Sequence, residues 1–564
     1  MVSREEKDRY LSWLYPVDTL RLFNDAQNRK KVDSEWFHEG PLKPWMQEKS
    51  SALWLIGKPG AGKTVLSASV IDLLQQKPGV NVLYFFFSFG ENKTQSTVHF
   101  KQSLLSQLIR HIIYEDKVKN DSWCVPIAFQ HLFNDYQPSR DPPIKRVEET
   151  FWELLDESPE TFIVVDALDE FLDPESRQSV LSFLKEFQGY SRGKNHIMVT
   201  SRWLDDIEKA MQSETVVMMK SEDVDQAIKS YLDLWLTSSA PDWWQEDLKK
   251  HATQKIMEGA KGVFRWAALQ ILNLKRCERD LDVEKALEEL PGDLEQTYKK
   301  MFDRIYHNHY SSAVAVIQWL AYSKRPLLLS EVAEIAVFRN QRDSEHETIV
   351  FHPRERFPNV HKIRSILSGL ITVSGVEDES ETFDGDDGRV AFSHFTVREY
   401  LEGCSTTLHS FHLTKAETHR FIVNSSLSYL RYYDSVYSLE DRPDSALDTM
   451  ESGTSSGNTS YLSDPAAQSS IQLHANDPDD DTRYKPFPLL LYAMKYWWRH
   501  CLSFGQCGGE QEEIERMLTG HSGPVLQHSI KTSLTGGMGD HINNPLQLLS
   551  LYILYSSSFK MSGC

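Results

Sequence analysis

The sequence is poor in cysteine and has no long apolar run. Six cysteines in 564 residues are far too few for the disulfide framework of a small secreted protein. The run of about 18 apolar residues that a membrane-spanning helix needs is nowhere present. The stretch 1–11 is charged and lacks the apolar segment of a secretory signal. Together these absences predict a cytoplasmic protein whose cysteines stay reduced.

Positive charge is scarce relative to negative charge. The chain has 61 Lys and Arg against 81 Asp and Glu, which gives a formal net charge of −20. This balance disfavours a general binder of nucleic acid or of anionic membranes. The hydrophobic content of 40% is that of a globular protein. The length predicts about three to four domains.

The part of the chain up to about residue 220 alternates strand-like runs with helical patterns. Apolar residues recur at three- to four-residue spacing between the runs, as on one face of a helix. Strands that alternate with helices predict a parallel sheet covered on both faces. The predicted strands are 53–56, 82–89, 162–165, 196–200 and 216–219.

The first predicted strand is followed by a complete GxxxxGK[ST] motif, GKPGAGKT at 57–64. It lies between a strand and a helix, the context that a phosphate-binding loop requires. Glycines let the backbone amides wrap an anion, and the helix N-terminus adds its dipole. Lys63 is expected to neutralise the β- and γ-phosphates, and Thr64 to ligate Mg²⁺. The predicted nucleotide-binding residues of the loop are Gly57, Pro59, Gly60, Ala61, Gly62, Lys63 and Thr64.

Carboxylates follow the third predicted strand. Asp166 at its tip is expected to hold Mg²⁺, and either Asp169 or Glu170 is a candidate to orient water or to act as general base. Arg202, at the tip of the next strand, is a candidate sensor of the γ-phosphate. The simpler alternatives are a solvated acidic loop and a surface arginine. Residues 92–95, NKTQ, lack the aspartate of a guanine-reading NKxD motif, which favours ATP and ADP over GTP.

Beyond about residue 220 the pattern is mainly helical. Helices followed by a hairpin with an acidic turn at 384–388 are in winged-helix order, and Ser330 is a candidate N-cap for a helix over 331–337. The predicted fold is an α/β parallel-sheet P-loop domain followed by helical, winged-helix and helical C-terminal regions. The predicted division is an N-terminal helical segment (1–50), the P-loop domain (51–220), a helical domain (221–300), a winged-helix domain (301–404) and a helical tail (405–564) with a disordered insert at about 441–483.

In this order GKPGAGKT, VVDALDE and VTSR resemble the NACHT-domain P-loop NTPases of the STAND class. The likeness is to fungal NACHT proteins that often carry C-terminal repeats, which are not expected in this sequence. It continues through GVFRWA at 262–267, LEELP at 287–291, YSKRPL at 322–327 and SHFTVREYL at 393–401. It covers roughly residues 30–500. GVFRWA lacks the proline that packs on adenine in many relatives.

The resemblance implies three domains folded over one nucleotide. A winged-helix histidine of the broader immune-receptor class touches the β-phosphate of ADP, and His394 occupies the matching motif. The alternative for His394 is a buried or capping role on an amphipathic helix.

The resemblance also implies a function. ADP–Mg²⁺ would stabilise a closed monomer, ATP would favour an open, self-associating form, and slow hydrolysis would reset the switch. Such a protein would act in innate immunity or non-self recognition with an unidentified signalling protein. The alternatives are an AAA+-like ATPase motor, a winged-helix DNA-binding regulator, which the acidic charge disfavours, and a remnant that has lost its sensor.

Overall fold

The structure is a computed structural model, and it divides into two compact units, Met1–Lys300 and Met301–Cys564. Most of residues 1–34 of the predicted N-terminal helical segment, most of the acidic turn at 384–388 and the insert at about 441–483 lie outside the described residues. The residues that the structure describes are 10, 13–14, 23–24, 35–88, 92–120, 125–136, 142–190, 194–241, 243–342, 347–374, 388–403, 411–436 and 487–506.

A parallel sheet forms the centre of the first unit. Within the described residues its strands lie in the order β2-β3-β4-β1-β5, with β1 pairing β4 on one side and β5 on the other. The predicted parallel α/β sheet is therefore confirmed. The strands are β1 (Ser51–Ile56), β2 (Val80–Phe86), β3 (Glu160–Asp166), β4 (Asn195–Ser201) and β5 (Thr215–Met218).

Helices cover both faces of this sheet. Because side chains alternate along a strand, Leu53 and Leu55 of β1 join one apolar cluster while Trp54 and Ile56 join the other. The pattern above does not predict α3 or α4, each of which begins directly after a proline. The helices are α1 (Lys63–Gln75), α2 (Thr97–Asn120), α3 (Ile127–Asp135), α4 (Ile144–Asp156), α5 (Pro174–Gly189) and α6 (Asp205–Met211).

A helical bundle follows the sheet within the same unit. Its apolar core includes Trp235, Trp244 and Trp266, and it also takes in Ala61 of the phosphate loop. The bundle therefore packs directly against that loop. Its helices are α7 (Ser221–Ser238), α8 (Glu246–Ala260), α9 (Phe264–Leu274) and α10 (Asp280–Glu288), and α11 (Leu294–Asp303) follows.

Gly259 provides a test of this packing. A Cβ at Gly259 would lie 2.3 Å from Cη2 of Trp266, whose indole is 1% exposed and donates to the Pro291 carbonyl at 3.0 Å. We expect Gly259→Ala to destabilise the chain by about 1–3 kcal/mol, as overpacked cores do. Gly189→Ala is the control, since its Cβ would meet nothing within 4 Å. Equal urea midpoints for the two variants, followed by tryptophan fluorescence, would contradict this packing.

The second unit contains a small antiparallel sheet in the order β6-β10-β9. A separate hairpin, β7–β8, is inserted after α13 and was not predicted, because its first strand lacks alternating apolar residues. The strands are β6 (Leu327–Leu328), β7 (Phe338–Arg342), β8 (Glu347–Phe351), β9 (Ile371–Ser374) and β10 (Arg389–Phe392). The helices are α12 (Tyr310–Tyr322), α13 (Leu329–Ile335), α14 (Lys362–Ile366), α15 (Phe395–Gly403), α16 (Lys415–Val436) and α17 (Leu490–Gln506).

The predicted N-cap at Ser330 is wrong. Helix α13 begins at Leu329, and Leu328 is its N-cap. The side chain of Glu331 accepts the Leu328 amide proton at 2.8 Å and is held by Arg325. This reversed capping by the N3 carboxylate moves the helix start two residues earlier than a serine cap would.

Buried polar contacts fix α16 to the rest of the second unit. Arg356 donates to both carboxylate oxygens of Glu334 on α13, at 2.7 and 2.8 Å. The hydroxyl of Tyr429 on α16 donates to the same carboxylate at 2.8 Å.

Within the part of the chain that the structure describes, no helix is both long enough and apolar enough to cross a lipid bilayer.

Candidate functional site

The phosphate loop connects the end of β1 with the start of α1. Gly60 and Gly62 have φ angles of +74° and +101°, a region that glycine adopts without steric penalty. A Cβ at Gly57 would lie 2.8 Å from the sulfur of Met219. The strand, loop and helix context that the motif requires is therefore present.

Lys63 lies among the charged groups of the site. Its ammonium donates to the carbonyls of Gly57 at 2.8 Å and Lys58 at 3.1 Å. Burial lowers the pKa of Lys63, while Asp169, Asp166 and, more weakly, Glu170 raise it. The positive charge of Arg202 also lowers the pKa of Lys63. The predicted cation, acids and arginine thus meet at one end of the sheet.

Asp166 is the buried carboxylate of the site, with 1% of its surface exposed. Its Oδ1 accepts from the hydroxyls of Ser67 at 2.6 Å and Thr200 at 2.7 Å. Burial raises the pKa of Asp166, and hydrogen bonds from Ser67, Thr200 and Thr64, together with Lys63, oppose the increase. The structure therefore brings Asp166, Thr64 and Lys63 together.

Ser67 and Thr200 were not predicted as site residues. Ser67 lies four residues after Lys63, which places it one turn further along the same face of α1. Thr200 directly precedes the Ser201–Arg202 pair at the tip of β4. The helical spacing was a usable signal for Ser67, whereas Thr200 faces Asp166 only through the pairing of β3 with β4.

The chain turns sharply after Asp166. Ala167 has a φ of +53°, a conformation that is unfavourable by roughly 1–2 kcal/mol for a residue with a Cβ. Its amide donates to the Thr200 hydroxyl at 3.0 Å, so the same hydroxyl contacts both Asp166 and Ala167. A short 3₁₀ turn, Leu168–Glu170, follows. This turn carries Asp169 toward β4.

Asp169 and Arg202 form an ion pair. The Arg202 Nε donates to Oδ2 of Asp169 at 2.7 Å, and the Arg202 backbone amide donates to Oδ1 at 3.1 Å. Arg202 directly follows Ser201, the register partner of Ile56 on β1. The Gly57 amide donates to the Ser201 carbonyl at 3.3 Å. The pair therefore lies beside the start of the phosphate loop.

Gln95 holds the far side of the acidic turn. Its Nε2 donates to the carbonyls of Glu170 and Ser88, both at 3.0 Å. Its Oε1 accepts the Leu172 amide proton at 3.1 Å. Gln95 is the last residue of the NKTQ sequence, and no sequence signal identified this role.

The GVFRWA element meets the phosphate loop. Helix α9 begins there, and the amide of Arg265 donates to the Gly60 carbonyl at 3.0 Å. Gly262 has a φ of +76°, and a Cβ there would lie 2.9 Å from the Cα of Ser221. The Gly262 amide donates to Asp225 on α7 at 2.9 Å. The shape of this turn thus depends on glycine, and the turn joins the bundle to the loop.

The side chains at the loop fit a magnesium ion. Mg²⁺ prefers hard oxygen ligands and is commonly held by one or two carboxylates with phosphate oxygens. Thr64 and Asp166 supply such oxygens side by side. A fully buried carboxylate whose pKa is raised by burial is also a group that a cation stabilises.

His394 lies in the second unit and caps α15. Its Nδ1 accepts the Thr396 amide proton at 3.2 Å and lies 2.8 Å from the Thr396 hydroxyl. The capping role considered as an alternative is therefore present. Its contact with a nucleotide stays a prediction.

Comparisons with known proteins identify a matching family model and two related sequences. Residues 34–202 match the family model described as Nephrocystin 3, N-terminal. The chain is 23% identical over 335 residues to vegetative incompatibility protein HET-E-1 of Podospora anserina, covering 56% of this chain and 23% of that protein. It is 24% identical over 317 residues to azaphilone pigments biosynthesis cluster protein L of Monascus ruber, covering 56% and 54%. The chain thus spans about a quarter of the first relative and about half of the second.

A solved structure, the ORC1 protein of Aeropyrum pernix in complex with DNA, is 14% identical and covers 69% of this chain and 96% of its own, with a TM-score of 0.30. A likeness at this level carries no argument about function.

The parallel sheet and its phosphate loop define a P-loop NTPase fold. Within that class, the family match and the sequence relatives confirm the resemblance to NACHT-type NTPases.

Proposed function

We propose that the protein is a cytoplasmic ATP- and ADP-binding switch in which nucleotide exchange controls opening and self-association. One observation carries the proposal: the phosphate loop with Lys63, the buried Asp166 and the Asp169–Arg202 ion pair lie at the ends of three neighbouring strands, β1, β3 and β4. A phosphate chain in the loop would meet all of these groups. Nucleotide shifts two conformations only as far as it binds them unequally.

Different groups at the phosphate loop bind the phosphates and the magnesium ion. The backbone amides and the N-terminus of α1 bind the phosphates, and Lys63 moves from the loop carbonyls to a phosphate oxygen. Thr64 and Asp166 hold Mg²⁺, which when bound supplies positive charge that neutralises the phosphate oxygens. Ser67 and Thr200 keep Asp166 in place. Asp169 and Glu170 remain the two candidate residues for a slow hydrolysis step that resets the switch.

We also propose a helical domain over 221–300 and a winged-helix domain over 301–404. The order α12, β6, α13, α14, β9, β10, with the strand arrangement β6-β10-β9, is the arrangement expected of such a domain. His394 follows the last strand of this sheet and is the proposed contact to the β-phosphate of ADP. The tail over 405–564 is proposed as a further helical region.

The similarity to HET-E-1, a vegetative incompatibility protein, supports a role in non-self recognition or innate immunity. In that role the switch would act on an unidentified signalling protein. No contact with nucleic acid is proposed.

Gel filtration with light scattering tests the switch. We expect a monomer with ADP–Mg²⁺ and larger assemblies with ATP–Mg²⁺, and ADP or ATP should copurify with the chain. We expect His394→Ala to assemble even with ADP, because the closed state loses a contact. His394→Asn should behave alike, since asparagine keeps a capping acceptor but is too short to replace the imidazole.

The control is His412→Ala, which changes an exposed histidine of the same unit. Unchanged elution of both His394 variants with ADP would count against the latch. A wild-type chain that binds neither nucleotide would refute the switch itself.

A further inference from the structure

Both carboxylate oxygens of Asp169 accept hydrogen bonds from Arg202. Oδ2 lies 2.7 Å from Nε and Oδ1 lies 3.1 Å from the backbone nitrogen of the same residue. The carboxylate is 6% exposed, whereas the arginine side chain is 28% exposed. The arginine is therefore the partner that a ligand can reach from solvent.

The turn that carries Asp169 is fixed on both sides. Thr200 binds the Ala167 amide at its start, and Gln95 binds the Glu170 carbonyl and the Leu172 amide at its end. Asp169 is thus held against β4 by backbone contacts that do not involve a nucleotide.

The pair lies where the end of a phosphate chain would extend. Asp169 follows β3, Arg202 follows β4 and the phosphate loop follows β1, and these three strands are neighbours in the sheet. The carboxyl ends of neighbouring parallel strands form one binding edge. Both residues also act electrostatically on Lys63.

We infer that Asp169 sets the preference between nucleoside diphosphate and triphosphate by competing with the γ-phosphate for Arg202. This inference rests on the proposed function and deepens it. A triphosphate brings its additional negative charge to a guanidinium that already has an anionic partner, and like charges repel. A diphosphate lacks that group. Asp169 is therefore a specificity-determining residue that acts through Arg202, and the general-base role passes to Glu170.

The test compares affinities for ADP and for the β,γ-imido analogue of ATP, both with Mg²⁺, by isothermal titration calorimetry on the full chain. We expect Asp169→Asn to raise triphosphate affinity relative to diphosphate affinity on the order of tenfold, since charged hydrogen bonds are of that strength. Asp169→Glu keeps the charge and should restore the wild-type ratio. Arg202→Gln should lower the ratio, and adding Asp169→Asn to it should give no gain.

Asp206→Asn is the matched control. Asp206 accepts from Arg177 Nε at 2.6 Å, a similar pair in the same unit, and its loss should leave the ratio unchanged. A folded Asp169→Asn chain that keeps the wild-type ratio of triphosphate to diphosphate affinity would overturn the inference, whether or not the variant still hydrolyses ATP. If Asp169→Asn does not fold, the Arg202→Gln variant provides the test. An equal loss of affinity for ADP and for the ATP analogue in that variant would also overturn the inference. Wild-type protein that binds neither nucleotide would instead refute the proposed function.

Discussion

Lys63→Ala is expected to abolish nucleotide binding. Lys63 is the cation that acts together with Asp166, Asp169 and Glu170 at the loop. Without it, the phosphates would face these carboxylates with their main positive partner removed. Removing one member of a buried charged cluster weakens it by about 3–5 kcal/mol, which corresponds to roughly two to four orders of magnitude in affinity.

Equilibrium binding of ADP and ATP with Mg²⁺ measures this effect. Lys58→Ala is the matched control, because Lys58 belongs to the same loop but its side chain is exposed. We expect the control to bind within a few-fold of wild type, as exposed charges contribute little. If Lys63→Ala binds ATP like the parent chain, the site is wrongly assigned. A comparable loss in both variants would indicate damage to the loop rather than a specific role.

The phosphate loop and the parallel sheet were predictable because their signals are local. A contiguous motif fixes the loop, and short apolar runs fix the strands. Asp166 was predictable for the same reason, since it directly follows such a run. The predicted strand at 82–89 is observed at Val80–Phe86, a shift that leaves the topology unchanged.

The supporting residues of the site were not predictable, because they depend on tertiary register. Thr200 reaches Asp166 only because Val165 pairs with Val199 on the neighbouring strand. The register between strands that are distant in sequence cannot be inferred from either strand alone. The contact of Asp169 with Arg202 spans 33 residues. The Gln95 contact with Leu172 spans 77 residues. The charged groups were therefore predictable from the sequence, but their pairing was not.

A buried histidine pair should make the second unit sensitive to acid. His419 on α16 and His500 on α17 are 2% and 0% exposed, and their Nδ1 atoms lie 2.9 Å apart. The Tyr492 hydroxyl accepts the Lys324 amide proton at 2.6 Å and lies 2.9 Å from His500 Nε2. A hydrogen bond between the two Nδ1 atoms needs one nitrogen that carries a proton and one that does not. At least one of the two rings is therefore neutral.

Protonating either ring is unfavourable in the folded chain. Burial lowers the pKa of His419 to about 3, helped by Lys324, Lys415 and Arg398. Burial, with Lys324 and His419, lowers the pKa of His500 well below its usual value. In the unfolded chain both titrate near pH 6.5.

Below that pH the unfolded state binds protons that the folded state does not, so stability is complete above about pH 6.5. It is lost as the pH falls toward the folded-state pKa. At pH 5 the two rings together should lower the free energy of unfolding by about 4 kcal/mol.

Urea unfolding between pH 7.5 and 5, followed by tryptophan fluorescence, measures this loss, because Trp497 is buried on the same helix as His500. The double variant His419→Asn, His500→Gln should be less stable at pH 7.5 but should lose most of the pH dependence, since neither amide titrates. His412→Asn, at an exposed position, should keep the wild-type slope. Because other groups titrate in every variant, the difference in slope isolates the pair. A double variant with the wild-type slope would mean that the acid sensitivity arises elsewhere.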